Sequence, residues 1–232
     1  SMIYANTNLV NDLKGYKIIV TAGGTREPID PVRFIGNRSS GKQGFAIAAA
    51  AAARGAQVHL VAANTELPSI EGVVTTHVET AEQMTAVLEI EFPHSNALIM
   101  SAAVADAKVK NYTDQKIRKE NLETLELESN TDILNLISKS KRNNQYILGF
   151  AAETTSDQVK LEQNAVSKLI SKSLDLIYVN DVSNGAVFGS DNTSGLIIDN
   201  KQNVIKVPEI SKETLSEILL DQLASKLVLT NG

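Results

Sequence analysis

The sequence predicts an α/β fold: a mostly parallel sheet flanked by helices, with a small antiparallel extension. Three observations carry that expectation. Short β-branched or apolar runs alternate with helix-length segments. The runs are apolar on both faces, as strands covered by helices on either side must be. The chain has 232 residues, 43% of them hydrophobic and 21% charged, which suits one domain with a core of ordinary size. Residues 1–232 read as that single domain, with Ser1, ahead of Met2, resembling an expression remnant.

Lys17–Ala22 is the first strand, ending in Gly23-Gly24. A long loop leads to a helix from about Gly41 to Arg54, closed by a terminal cation and Gly55. Gln57–Ala62 and Thr75–Val78 are the next strands. Thr80 and Gln83 have the spacing of a capping box for a helix reaching about Phe92. Ala97–Met100, Tyr146–Phe150 and Asp175–Val179 continue the strand pattern, the last two separated by a helix over about Asp157–Ser171. This arrangement is Rossmann-like. Leu122–Glu128 alternates in part like a strand with one wet face. Gly195–Asp199 and Val204–Val207 read as a hairpin turning at Asn200-Lys201-Gln202. Both are expected to extend one edge of the sheet. Leu215, Ile218, Leu219, Leu223 and Leu227 recur at helical spacing in a closing amphipathic helix.

Composition narrows the chemistry. Lys and Arg number 22 against 27 Asp and Glu, a net charge of −5, so a nucleic-acid partner is not expected. There is no cysteine, which excludes disulfides, thiolate nucleophiles and iron–sulfur ligation and suits a cytoplasmic location. The three histidines, His59, His77 and His94, have no pair at ligand spacing. No apolar run approaches the ~18–20 residues of a membrane span, and no leader is visible.

The loop after the first strand lies where open α/β sheets bind ligands. It far exceeds the ~2–6 residues of a usual βα turn. Ser39, Ser40 and Gly41 precede a helix whose free N–H groups and positive dipole end suit a phosphate. Gly41 and Gly44 allow close approach, and Ala46 with Ala48–Ala53 keeps the helix narrow. On spacing alone the same residues read equally well as a Ser-capped packing helix.

Thr25-Arg26-Glu27-Pro28-Ile29-Asp30-Pro31-Val32-Arg33, followed by Asn37-Arg38-Ser39-Ser40-Gly41-Lys42, resembles the start of bacterial phosphopantothenate–cysteine ligase (phosphopantothenoylcysteine synthetase). The resemblance runs through most of the chain. It implies joining of 4′-phosphopantothenate to L-cysteine through an acyl-nucleotide, with CTP as the nucleotide and Mg²⁺ on its phosphates. It also implies a homodimer, with Arg33, Phe34 and Ile35 in the crossing loop. The short segment before the first strand resembles the stand-alone form, so no flavin is expected.

Site residues follow from the same resemblance. Asn37 matches the family's asparagine at the acyl-nucleotide, and Arg33, Ser39, Ser40, Gly41, Gly44 and Ala103 fall at substrate or phosphate positions. Ser101-Ala102-Ala103-Val104-Ala105-Asp106 is similar to a second motif, giving nucleotide contacts at Ser101, Ala102 and Asp106. Lys116-Ile117-Arg118-Lys119 resembles a basic motif, with Arg118 in place of lysine; Lys116 becomes the catalytic cation, on a polar loop (Lys108 to Glu120) able to close as a flap. Asn130-Thr131-Asp132-Ile133-Leu134, with Thr131 where the family has proline, starts a helix and supplies nucleotide contacts at Thr131, Asp132, Ile133 and Leu134. Gly149-Phe150-Ala151-Ala152-Glu153-Thr154 places Phe150 on the nucleotide, and Lys168 and Lys172 share a helix face as further nucleotide ligands. Metal ligands are not identified. Asn180-Asp181-Val182 and Phe188-Gly189-Ser190-Asp191-Asn192 also look like family segments without a catalytic role.

Two other functions fit the sequence less well. A nicotinamide-dependent oxidoreductase lacks its GxGxxG fingerprint here, and Tyr112 with Lys116 lies in a polar loop rather than on a helix. A silent nucleotide-binding protein would have little need to keep Asn37, Asp106 and Lys116 together.

Overall fold

The structure is a computed structural model that describes residues 11–155, 157–181 and 190–229. The elements, in chain order, are β1 (Lys17–Gly23), β2 (Arg26–Pro28), β3 (Phe34–Gly36), α1 (Lys42–Ala53), β4 (Gln57–Ala63), β5 (Val74–Val78) and α2 (Ala81–Glu91). They continue with β6 (Ala97–Met100), β7 (Ala107–Val109), β8 (Leu127–Ser129), α3 (Ile133–Ser138), β9 (Tyr146–Glu153) and α4 (Gln158–Ser171). The chain closes with β10 (Leu176–Asp181), β11 (Asn192–Asp199), β12 (Val204–Ser211) and α5 (Lys212–Leu229).

Eight strands form one sheet in the order β12-β11-β10-β9-β6-β1-β4-β5. The six from β10 to β5 run parallel, and β11 and β12 add an antiparallel hairpin at the β10 edge. This is the mostly parallel sheet with an antiparallel extension that the periodicity implied. Both faces are apolar. Ile18, Val20, Leu60 and Ile99 pack under α1 and α5, and Ile19, Val61, Leu98 and Ile177 pack under α2, α3 and α4. Each fully buried aliphatic side chain contributes about 1.5–3 kcal/mol.

Local signals explain the boundaries. Thr80 accepts from the Gln83 backbone while the Gln83 side chain accepts from Thr80, the reciprocal cap inferred from their spacing. Gly55, at φ +88°, stops α1. Arg54 just before it binds Asp12, Glu217 and Asp221, tying the end of α1 to α5. The chain turns between β11 and β12 through Asn200-Lys201-Gln202, with Asp199 accepting from the backbones of Lys201 and Asn203, both at 2.9 Å.

One expectation is corrected. Leu122–Glu128 does not extend the main sheet: only Leu127–Ser129 is a strand, and it pairs with Ala107–Val109 in a separate ribbon. Its register sets Lys108 opposite Glu128, an ion pair at 3.6 Å, and leaves Leu127 exposed. Val182, Phe188 and Gly189 of the late family-like segments lie outside the described residues.

Candidate functional site

A cleft of about 450 Å³ crosses the carboxyl ends of the parallel strands. Its walls come from both faces of the sheet: the first turns of α1 and α5 on one side, α3 and α4 on the other.

The floor is the loop after β6, from Ser101 to Asp106. Backbone bonds stitch it to β1: Ala103 N–H donates to Gly23 at 2.8 Å, and Thr25 N–H to Ala103 at 3.1 Å. The buried Thr25 hydroxyl accepts from Ala105 N–H at 2.9 Å. Asn130 clamps the far side, its amide donating to the Ala105 carbonyl at 2.8 Å and its backbone N–H to Asp106 at 2.9 Å. The loop is rigid because its donors and acceptors are spent on the frame. The Asp106 carboxylate stays exposed.

Asn37 lines the cleft, and its side-chain N–H donates to the Val104 carbonyl at 3.0 Å. That bond orients the amide and leaves a second N–H and the carbonyl oxygen for a ligand. Ser39, Ser40, Gly41 and Gly44 follow along the wall. The cap of α1 is Gly41, at φ +76° and without a side-chain cap, rather than a serine. A Cβ there would meet the Thr65 side chain at 2.6 Å. Gly44 is required by packing, since a Cβ would lie 2.5 Å from that of Ala22 on β1. Both glycines therefore bring the α1 N-terminus down onto the sheet at the cleft, where the Ser40 hydroxyl accepts from Lys42 N–H at 3.4 Å and the other first-turn N–H groups have no intrahelical partner.

Across the sheet, Asp132 caps α3 by accepting from Asn135 N–H at 3.1 Å and also meets Lys172 at 3.3 Å. Thr131, Ile133 and Leu134 join it on the wall. Lys168 pairs with Glu153 at 2.6 Å, and that ammonium holds the Glu153 carboxyl below its ordinary range. Phe150 packs edge-on to Tyr178 with centroids 5.4 Å apart. The Tyr178 hydroxyl shares a 2.7 Å bond with Thr193, and burial pushes its phenol up to about 12, so it stays neutral.

Two of the expected residues lie elsewhere. Lys116 and Arg33 do not line the cleft. Lys116 is on an exposed loop. Arg33 is engaged with Asp30 and donates to the Ile117 carbonyl at 2.8 Å. Asp30 has a fully buried side chain and also accepts from Ile117 N–H at 3.1 Å and from the backbones of Val32 and Arg33, both at 2.9 Å. The Arg33 guanidinium holds the Asp30 carboxyl far below the usual carboxylate range. The pair thus pins the residue next to Lys116. Sequence reasoning left out Lys212, Tyr178, Thr193 and Asn180, all on the wall. Lys212 opens a helix that reads as amphipathic, and Thr193 lies ahead of the Gly195–Asp199 run that reads as a hairpin strand, so neither carried a signal.

Residues 13–227 match the family model for the DNA/pantothenate metabolism flavoprotein C-terminal domain. The chain belongs to that family. It is 42% identical over 231 residues to the coenzyme A biosynthesis bifunctional protein CoaBC of Escherichia coli strain K12, covering 97% of this chain and 55% of that protein. The CoaBC of Mycobacterium tuberculosis strain H37Rv is 40% identical over 224 residues, covering 93% and 54%. The chain thus spans about half the length of these curated relatives. A crystal structure of the C-terminal domain of CoaBC is similar over 96% of this chain and 100% of that one, with a TM-score of 0.79 and 34% identity.

Proposed function

We propose that this chain joins 4′-phosphopantothenate to L-cysteine in coenzyme A biosynthesis, through an acyl-cytidylate. The observation that carries the reading is the cleft itself. It gathers the N-terminus of α1, the rigid Ser101–Asp106 loop with Asn37 bonded to it, and lysines from both sides of the sheet. The CoaBC relatives, with coenzyme A biosynthesis in their name, support the pathway.

In the first step a carboxylate oxygen attacks the α-phosphorus of CTP and pyrophosphate leaves. In the second the cysteine amine attacks the acyl carbon, CMP leaves, and the nitrogen loses a proton. A free carboxylate is a poor electrophile with a poor leaving group, and the mixed anhydride removes both obstacles. Asn37 presents an N–H to the oxyanion that forms on the acyl carbon and a carbonyl oxygen to the incoming amine. The N–H groups of α1 neutralise phosphate. Ser101, Ala102, Asp106, Thr131 to Leu134, Phe150, Lys168 and Lys172 hold the nucleotide, and Lys116 swings in from its loop to offset charge at the α-phosphate.

Among the described residues no group of three or more His, Asp or Glu side chains could hold a metal ion. Mg²⁺ would sit with the nucleotide's phosphates and offset their charge. The functional unit is a homodimer joined through the β2–β3 arm. There Phe34 is 50% exposed beneath Arg26, and Val32 beside it is 61% exposed. The compartment is the cytoplasm; among the described residues no helix is long and apolar enough to cross a membrane.

A nucleotide panel with phosphopantothenate, cysteine and Mg²⁺, followed by pyrophosphate release, tests the reading. CTP should support release that requires phosphopantothenate. Release with ATP alone would overturn the choice of nucleotide, and none with any nucleotide would overturn the reaction.

A further inference from the structure

Lys42 and Lys212 each open a helix, and both line the cleft at the end formed by α1 and α5. The two first turns are joined: the Gln43 side chain donates to the Lys212 carbonyl at 3.1 Å and to the Ser216 hydroxyl at 3.0 Å. Lys212 is 7% exposed. Its ammonium donates to the Ser190 carbonyl, and among the described residues it forms no ion pair with a carboxylate. The nearby Asp191 is instead paired with Lys42 at 2.7 Å.

Three costs fall on this lysine together. Burial strips water from a charge that a lone carbonyl only partly replaces. The start of a helix is its positive end, where a cation is disfavoured. Lys42 adds a like charge. Burial first, and Lys42 second, push the Lys212 ammonium below its ordinary value, against the pull of Asp191 and Glu213. A lysine kept only for stability belongs at the other end of a helix, or in water. A side chain that breaks local rules this way, inside a cleft, is accounted for by a partner that arrives with the substrate.

We propose that Lys212, assisted by Lys42, is a phosphate subsite at the α1–α5 end of the cleft. This rests on the reading that two phosphorylated substrates meet there. The phosphoryl group comes either from the nucleoside triphosphate tail or from the phosphomonoester of phosphopantothenate. The α1 N–H groups and the Lys212 ammonium would share its oxygens, relieving burial, dipole and like-charge repulsion at once.

Lys212→Met, with Lys212→Arg as the charge-preserving control, tests this without turnover. Without ligand at low salt, the methionine variant should unfold at or above the wild-type temperature. Calorimetric titration with inorganic tripolyphosphate and, separately, 4′-phosphopantothenate should show at least a tenfold loss for one of them in Lys212→Met, largely restored in Lys212→Arg. The probe affected identifies the source. The proposal is overturned if both probes bind the methionine variant as they bind wild type. It is equally overturned if neither binds the wild-type protein, or if the methionine variant unfolds earlier or fails to fold. Because the readout is binding, a chain without ligase turnover would sink the proposed reaction and still leave this subsite decided.

Discussion

Gly44→Ala asks whether the anion-facing wall of the cleft is set by how closely α1 lies on β1. The new Cβ would fall 2.5 Å from the Ala22 Cβ, 2.9 Å from the Thr21 carbonyl oxygen and 3.0 Å from the Ala22 Cα, all short of the 3.4 Å at which ordinary contact begins. None of these is the free end of a flexible side chain, so α1 has to retreat by roughly 1 Å. Overpacking of this kind costs about 1–3 kcal/mol. Alanine returns up to about 1 kcal/mol over glycine within a helix. With the full alanine gain the net loss is about 0–2 kcal/mol, a Tm lower by up to about 8 °C for a chain of this size. The retreat also carries Ser40, Gly41 and Lys42 away from the ligand. A misplacement of about 1 Å can cost on the order of 10²-fold in rate, so kcat/KM in the pyrophosphate assay should fall about 10- to 100-fold. Scanning calorimetry and steady-state kinetics on the same preparation decide it. A variant with wild-type Tm and wild-type kinetics would show slack between α1 and β1 and refute the claim that glycine packing places the α1 N-terminus.

Other perturbations separate chemistry from scaffold. Lys116→Gln should nearly abolish product while leaving Tm unchanged, because the side chain is exposed; normal pyrophosphate release would remove it from the mechanism. Asn37→Asp puts a negative charge beside the acyl carbon and should slow amide formation more than pyrophosphate release, which a quenched-flow comparison of the two products resolves. Asp30→Asn loses the carboxylate that holds Arg33 and the Ile117 N–H. Hydrogen exchange around residues 113–121 should quicken and kcat fall, and unchanged exchange would disprove the anchoring role. The same acid predicts a pH effect. Its carboxyl is depressed in the folded chain, so its stabilisation is present above the ordinary carboxylate value of ~4. It is lost as pH falls through the lowered folded value, and Asp30→Asn should flatten that acid-side decline in Tm.

The strands of the main sheet were legible because each is a local run, apolar on both faces, and the Thr80–Gln83 cap because its two partners are three residues apart. Where pairing is distant the pattern failed. Leu127–Ser129 needs Ala107–Val109, distant in sequence and too short to show a period, and all three of its own residues are exposed. No alternation could therefore mark the ribbon or separate it from the sheet edge. Most of the cleft was legible through motif resemblance, since motifs at strand ends converge wherever strands are parallel. Arg33 lies outside this chain's own cleft, where Asp30, three residues away and fully buried, engages its guanidinium.

The lysines of the cleft differ in what binding would cost them. Lys168 and Lys172 already hold Glu153 and Asp132, so a ligand there exchanges one ion pair for another and little Coulomb energy changes hands. Lys212 holds a neutral carbonyl, so an anion reaching it gains an interaction without giving one up. The α1–α5 end should therefore contribute more of the affinity, and the α3–α4 end more of the choice of which nucleotide fits. That division predicts opposite salt responses. Raising ionic strength screens charges that start unsatisfied more than pairs that are merely exchanged. Tripolyphosphate binding should weaken steeply with salt in wild type and only shallowly in Lys212→Met, while the slope for Lys172→Met stays near that of wild type. Equal slopes in all three proteins would place the main charge interaction elsewhere.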